Sequence, residues 1–331
     1  MTTATAFSVR RCAANPIVVP HMDARMGANV QGPSLIRVPD WVPNPLGRYY
    51  LYFADHKGSY IRLAVADAVE GPWRMHEPGA LQLAGSLFPV APIVAPADAR
   101  EILSEAHLPG VAPPGSPGIP DALADAITPH IASPDVHVDH AQRRIVMYYH
   151  GLASFRTQRS RVALSSDGLR FTAREPLLGP SYFRVFAHAG FTYALAMPGI
   201  MLRSADGLTD FERGPTLFEG RQRHTALLKR GDTLTVFWTR VGDDPERIYC
   251  SDIDLAGDWK QWKAGLPVEV LRPQFDWEGA NAPAAPSYRG AICDEVRQVR
   301  DPAIFEDEGR TYLLYAVKGE AGIALAELLP R

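Results

Sequence analysis

The sequence predicts an all-β chain folded as a five-bladed β-propeller. Three observations carry that expectation. An aromatic strand pattern returns five times, each copy stands between a leading and a trailing strand, and uninterrupted copies are spaced by roughly 45 residues.

The middle strand reads GRYYLYFAD around Tyr50, RRIVMYYHG around Tyr148, GFTYALAMP around Tyr193, GDTLTVFWT around Val236 and GRTYLLYAV around Leu314. β-branched and aromatic residues crowd every copy, and most copies begin at a Gly turn, as strands do. A trailing strand follows each: YIRLAVAD, SRVALSSDG, GIMLRSADG, ERIYCSDID and GIALAEL. Several end in turn signals such as Asp-Gly. The leading strands are GPSLIRV, SPDVHVD, YFRVFAH, RHTALLK and RDPAIFE. Two intervals are longer, which places insertions at the Ala/Pro-rich stretch Gly85–His130 and within Lys260–Val299. Five units of three or four antiparallel strands suit a propeller; a β-sandwich is the competing architecture. The last unit has only three strands before the chain stops, so the residues before Asn15 are expected to supply its outer strand. Residues 1–331 read as a single domain with an insertion at about 85–130.

Composition narrows the function. The chain has 331 residues, 46% hydrophobic and 21% charged, ordinary for a globular core. A net charge of −3 gives no reason to expect nucleic acid or a membrane as partner. Cys12, Cys250 and Cys293 are odd in number and widely spaced, so neither a disulfide framework nor a zinc site is expected, and a reducing, cytoplasmic setting is. No G-x-G-x-x-G, P-loop, G-x-S-x-G or H-E-x-x-H pattern stands in a suitable context.

In a propeller the leading strands line the central channel, and their first residues converge at one end. Alignment puts Gly32–Pro33, Ser133–Pro134, Tyr182–Phe183, His224–Thr225 and Asp301–Pro302 in one column, with Arg223 in register with Arg300. Asp135 lies two residues beyond Ser133 and should share its face. The expected pocket holds Asp135, Asp301, His224, Arg184, Arg223, Arg240 and Arg300. Glu278, beside Trp277 in the irregular segment FDWEGANAPAAPSYRG, is expected to reach over the channel mouth, where an aromatic and a carboxylate together suit a sugar. His137 is placed on the opposite side of its strand from Asp135, and DDPERI at Asp243–Ile248 reads as an exposed turn with an ion pair. Each of these also has a plain structural reading: Asp301 as a turn cap before Pro302, Asp135 as a partner of backbone amides, Glu278 as a solvated loop residue, His224 as a core histidine, Trp277 as packing.

On RDPAIF, SPDVHVD, the GRYYLYFAD and GRTYLLYAV strands and the SSDGLRF and SADGLTDF blade ends, the chain resembles the five-bladed glycosidases of glycoside hydrolase family 43 and its relatives in families 32, 62, 68 and 117. The resemblance implies a carbohydrate substrate, no required cofactor, an occasional Ca2+ on the channel axis, and three carboxylates on separate blades. It also marks a departure: the family's base is usually an Asp before Pro in the first blade, where this chain has Gly32. With Asp301 as replacement base, Glu278 as acid and Asp135 as orienting group, the chain would hydrolyse a glycoside with inversion. Arg300 is expected to hold Asp301 ionised, and Trp277 to raise the pKa of Glu278. Two alternatives stay open. One is an inverting glycoside phosphorylase like those of family 130, with Arg184, Arg223, Arg240, Arg300 and His224 cradling phosphate. The other is a non-catalytic sugar-binding propeller. Sugar identity and oligomeric state are not legible.

Overall fold

A computed structural model describes residues 6–105 and 121–330 of the chain. Five antiparallel sheets form five blades, numbered I to V in chain order. Blade I pairs Gln31–Arg37, Tyr49–Ala54, Tyr60–Ala66 and Arg74–Met75, from the axis outward. Blade II pairs Ile131–Asp139, Arg144–Ser154, Thr157–Ser165 and Thr172–Ala173. Blade III pairs Arg184–His188, Phe191–Ala196, Ile200–Ser204 and Glu212–Thr216. Blade IV pairs Gln222–Arg230, Thr233–Arg240, Ile248–Asp254 and Val268–Leu271. Blade V takes Arg300–Asp307, Arg310–Ala316 and Ile323–Pro330 from the end of the chain. Its outermost strand, Phe7–Arg11, comes from the start, with Phe7 opposite Pro330 and Arg11 opposite Ala326.

The core is five seams rather than one centre. A strand sends alternate side chains to opposite faces, and each middle strand is covered on both. Tyr50 and Tyr52 therefore pack against Ile145, Met147 and Tyr149 of blade II, while Leu51 and Phe53 pack against Phe305 and Leu314 of blade V. Equivalent clusters fill the seams II–III, III–IV and IV–V. Burial on both faces is why the middle strands read as continuous apolar runs instead of alternating ones.

The inner strands share a local device. Gln31 and Ser34 lie opposite Ala54 and Tyr52, so the inner strand carries one extra residue there. The same offset recurs between Ala132 and Asp135, Gln222 and Thr225, and Arg300 and Ala303. Gln222, not Arg223, is thus in register with Arg300. Within the bulges Gly32, Ser133 and Asp301 have φ of 64°, 50° and 49°, and Tyr182, just before the inner strand of blade III, has 66°. That left-handed conformation is uncommon outside glycine. Space also favours glycine at position 32, because a Cβ there would stand 3.0 Å from the Ser133 Cα, a tight contact.

The insertion Gly85–His130 is anchored on blades I and II. Phe88 meets Tyr149 edge-on at 5.9 Å, and the Tyr149 hydroxyl donates to the Ser86 carbonyl at 2.7 Å. A short helix, Ala122–Ile127, is capped by Asp121 and sets the Asp125 carboxylate 2.8 Å from Lys57 Nζ. Residues 106–120 of the insertion lie outside the described ones.

Glu278 belongs to the ring closure. Its Oε1 accepts from Arg11 Nε at 2.7 Å and from the Tyr315 hydroxyl at 2.8 Å. Oε2 accepts from the backbone amides of Gln274 and Phe275 at 2.8 and 3.2 Å. A buried carboxylate thus joins the first strand of the chain to the last blade. Removing one partner of a buried pair leaves the other charge uncompensated. Arg11→Ala should lower the unfolding free energy by about 3 kcal/mol in urea denaturation; a loss under about 1 kcal/mol would mean that the ring closes without the pair.

Candidate active site

The bulges turn the first residues of the inner strands toward one end of the channel, where the chain buries an unusual density of polar side chains. Asp301 is fully buried. Its Oδ1 accepts from the Tyr182 hydroxyl at 2.8 Å and lies 3.5 Å from His224 Nε2. On the other side of the imidazole, Nδ1 lies 3.2 Å from the Thr239 hydroxyl and 3.4 Å from Glu246 Oε1. Carboxylates thus flank both nitrogens of one imidazole. Burial lowers the pKa of His224, and that of Tyr182 is pushed well up by burial and by Asp301.

Behind this group runs a chain of fully buried ion pairs. Arg223 Nη1 and Arg300 Nη2 each lie 2.9 Å from Glu246 Oε2, and Arg300 Nη1 lies 2.9 Å from Glu320 Oε1. Glu320 also accepts from Asn29 Nδ2 at 2.7 Å and stands 3.2 Å from His56 Nδ1. Burial opposes ionisation of both carboxylates. Arg223 and Arg300 outweigh it at Glu246, and His56 and Arg300 at Glu320, so both are held far below the usual carboxylate range. Burial, with Arg300 nearby, pulls Arg223 down to about 10. Arg300 therefore serves Glu246, Glu320 and Gln298, not Asp301 as its place in the sequence suggested.

A second group adjoins Tyr182. The rings run His130 to His150 at 6.3 Å, His150 to Tyr182 at 6.3 Å and Tyr182 to His224 at 5.2 Å. Burial drives the pKa of His130 down to about 3 and that of His150 well below normal, so both rings are neutral. His130 Nδ1 lies 2.8 Å from the Thr128 carbonyl, which can only accept. Nδ1 therefore carries the proton and Nε2 presents a lone pair. Several buried polar atoms in this neighbourhood have no hydrogen-bond partner, among them Asp301 Oδ2, His130 Nε2, His150 Nδ1, Arg184 Nη2 and Glu246 Oε1. Buried polar groups are normally hydrogen-bonded, so such a cluster points to ligand or water.

Arg184 closes the channel below. Its Nε donates to the Thr225 carbonyl at 3.1 Å, and its Nη1 to the carbonyls of Ser133, Pro134 and Phe183 at 3.1 to 3.2 Å. Its Cζ lies 4.3 Å over the Tyr182 ring. Carbonyls of three successive blades, the oxygen ligands a calcium ion would need, are thus spent on a guanidinium. The residues present do not fit an axial Ca2+, and among the described residues no three His, Cys, Asp or Glu side chains converge as metal ligands.

The structure brings together Asp301, His224, Tyr182, Arg184, Arg223 and Arg300, and separates the rest of the expected set. Glu278 is committed at the ring closure. Trp277 stacks on Phe275 at 5.6 Å and packs into seam IV–V. Arg240 is spent on Asp243 at 2.9 Å and on the Tyr249 hydroxyl at 3.1 Å. Asp135 lines the other, open end of the channel, where it accepts from His137 Nε2 and from the Val185 amide, both at 2.8 Å. His137 is on the same side as Asp135, as a spacing of two along a strand requires. Glu246, read as part of an exposed turn, is the centre of the buried charge chain. Sequence reasoning also passed over Glu320, His130 and His150. Only HG in the middle strand of blade II, a histidine among aromatics, was a usable signal.

No protein-family model matches the chain. Among solved structures it is similar to a glycosyl hydrolase from Bacteroides ovatus, at TM-score 0.59 and 12% identity over 98% of this chain and 94% of that one. A putative glycoside hydrolase from Parabacteroides distasonis gives 0.58 and 12%, over 98% and 97%. A family 43 β-xylosidase/α-arabinofuranosidase from a compost metagenome, solved with xylotriose, gives 0.56 and 12%, over 97% and 95%. The class is therefore the five-bladed propeller shared with glycoside hydrolases, and at such identity the likeness concerns the fold. In sequence the chain is 35% identical over 326 residues to an uncharacterized protein of Acanthamoeba polyphaga mimivirus, covering 91% of this chain and 83% of that protein. It belongs to the same family as that viral protein.

The neutral histidines generate a pH dependence. Their folded pKa values lie below the unfolded value of about 6.5, so the unfolded state binds more protons as pH falls. Their contribution to stability is complete above that pH and is lost progressively below it. The thermal midpoint should drop between pH 7 and pH 5, and His150→Gln should flatten the drop. An unchanged slope in the variant would show that His150 does not set it.

Proposed function

We propose that the protein is a carbohydrate-active enzyme that cleaves a glycosidic bond, with Asp301 transferring the proton. The observation that carries this reading is the open Oδ2 of Asp301, set in a buried cluster of unpartnered polar atoms at the converging strand ends. Glu246 and Glu320 at the same end are neutralised by arginines. Glu246 Oε1 also lacks a hydrogen bond, but Asp301 is the carboxylate there that has an unpartnered oxygen and no arginine ion pair, which suits proton transfer.

The surrounding groups suit hydroxyls. Asp301 Oδ2 and His130 Nε2 accept, Arg184 Nη2 donates, and His150 Nδ1 completes a small polar set. A sugar ring supplies donors and acceptors in that mixture. Phosphate would need several free cationic donors, whereas Arg223 and Arg300 are consumed by carboxylates and Arg240 by Asp243. With Arg184 included, that leaves Arg184 Nη2 and Arg300 Nε as the buried guanidinium nitrogens of these four arginines without a partner. That balance favours water over phosphate as acceptor of the glycosyl group. Cys12, Cys250 and Cys293 form no disulfide among the described residues, which fits the proposed reducing, cytoplasmic setting.

A panel of aryl glycosides and oligosaccharides, assayed with and without phosphate, tests the reading. Turnover independent of phosphate is expected. Asp301→Asn should lower it by roughly 10²–10⁴-fold without moving the unfolding midpoint, because Asn keeps the acceptor for Tyr182 and tolerates positive φ. Strict phosphate dependence would make the enzyme a phosphorylase. Sugar binding with no turnover would make it a binding propeller, and full activity in Asp301→Asn would remove Asp301 from the chemistry.

A further inference from the structure

The far end of the channel holds a cavity of its own, about 380 Å3, open to solvent and lined by residues of all five inner strands. Arg184 stands between it and the buried cluster around Asp301. The apolar part of the lining includes Val185, Leu227 and Ile304, all partly exposed. Polar side chains enter from blade II as Asp135 and His137, and from blade IV as Lys229.

Pairing off the charges leaves an excess of one sign. Arg37 at the rim faces Asp307 at 2.9 Å, and Glu306 receives Arg230 at 2.7 Å, so both are answered outside the cavity. Asp135 is answered by His137 within it. Lys229 has no ion-pair partner among the described residues, and Arg184 spends its donors on carbonyls rather than on a carboxylate. A single ammonium over a small, partly apolar hollow is the arrangement of a site that recognises one negative charge on a compact body. Lys229 can swing, since its stem is flexible, while the Asp135 carboxylate holds the His137 ring in place.

We propose that this cavity is a second binding site, for a small organic acid whose carboxylate meets Lys229 and His137 while its apolar body lies on Val185, Leu227 and Ile304. The volume fits the lower end of small-molecule pockets, roughly 300–1,000 Å3, and so limits the ligand to about the size of one ring.

Calorimetric titration of the full chain with benzoate, and with benzyl alcohol as its neutral counterpart, tests the assignment. Saturable binding of benzoate is expected, with none of benzyl alcohol. Lys229→Met should weaken benzoate binding by roughly 10-fold or more, the loss of one charge-assisted contact. His137→Gln should weaken it too, and Asp301→Asn, at the other end of the channel, should leave it unchanged. The proposal is overturned if benzoate does not saturate, if benzyl alcohol binds equally well, if both Lys229→Met and His137→Gln bind as tightly as the parent, or if Asp301→Asn abolishes binding.

Discussion

Two arginines and two glutamates, Arg223, Glu246, Arg300 and Glu320, are buried together where blades IV, V and I meet. A buried charge without a partner is among the costliest defects a fold can carry. Satisfying these four therefore dictates much around them. The turn before Ile248 has to present Glu246 inward. The segment from Ser287 to Gln298 has to run past the arginines and supply Ser287, the Gly290 carbonyl and Gln298 as further acceptors. Asn29, ahead of the first inner strand, has to reach Glu320. The chain of charges holds the first and last blades in one relation and gives Asp301 and His224 a rigid backing.

The same backbone bulge, repeated on different blades, presents different chemistry. At Gly32 it brings the backbone close to Ser133, where a Cβ would make a tight contact of 3.0 Å. At Asp301 it sets a carboxylate beside Tyr182 and His224. Strain of this kind concentrates where function is carried. Arg184 adds the second division. By capping carbonyls of three blades it stands between an enclosed end of the channel and an open one, so Asp135 and Asp301, both on inner strands, face separate surroundings.

The architecture was legible because burial on both faces writes itself into composition. Every middle strand had to be apolar at successive positions, and five such runs at one spacing leave few alternatives. Ring closure followed from counting three strands in the last unit, and Phe7–Arg11 fills the gap. Asp301 was legible too, since the Asp-Pro pair opens a strand whose place on the axis the repeat sets.

What the sequence by itself determined was therefore the set of strands, their order from the axis outward and the place of Asp301 at the start of an inner strand. Only the tertiary structure decided which charges meet. Arg300 and Asp301 are neighbours in the chain, yet successive strand residues point apart and the bulge turns them further, so Arg300 finds carboxylates from loops 54 and 20 positions away. Glu278 sits beside Trp277 in a segment that looked like a rim loop, but Arg11, near the other end of the chain, draws it into the closure. Electrostatic partners are chosen by distance in space and by the shortage of water, and neither is written in local sequence.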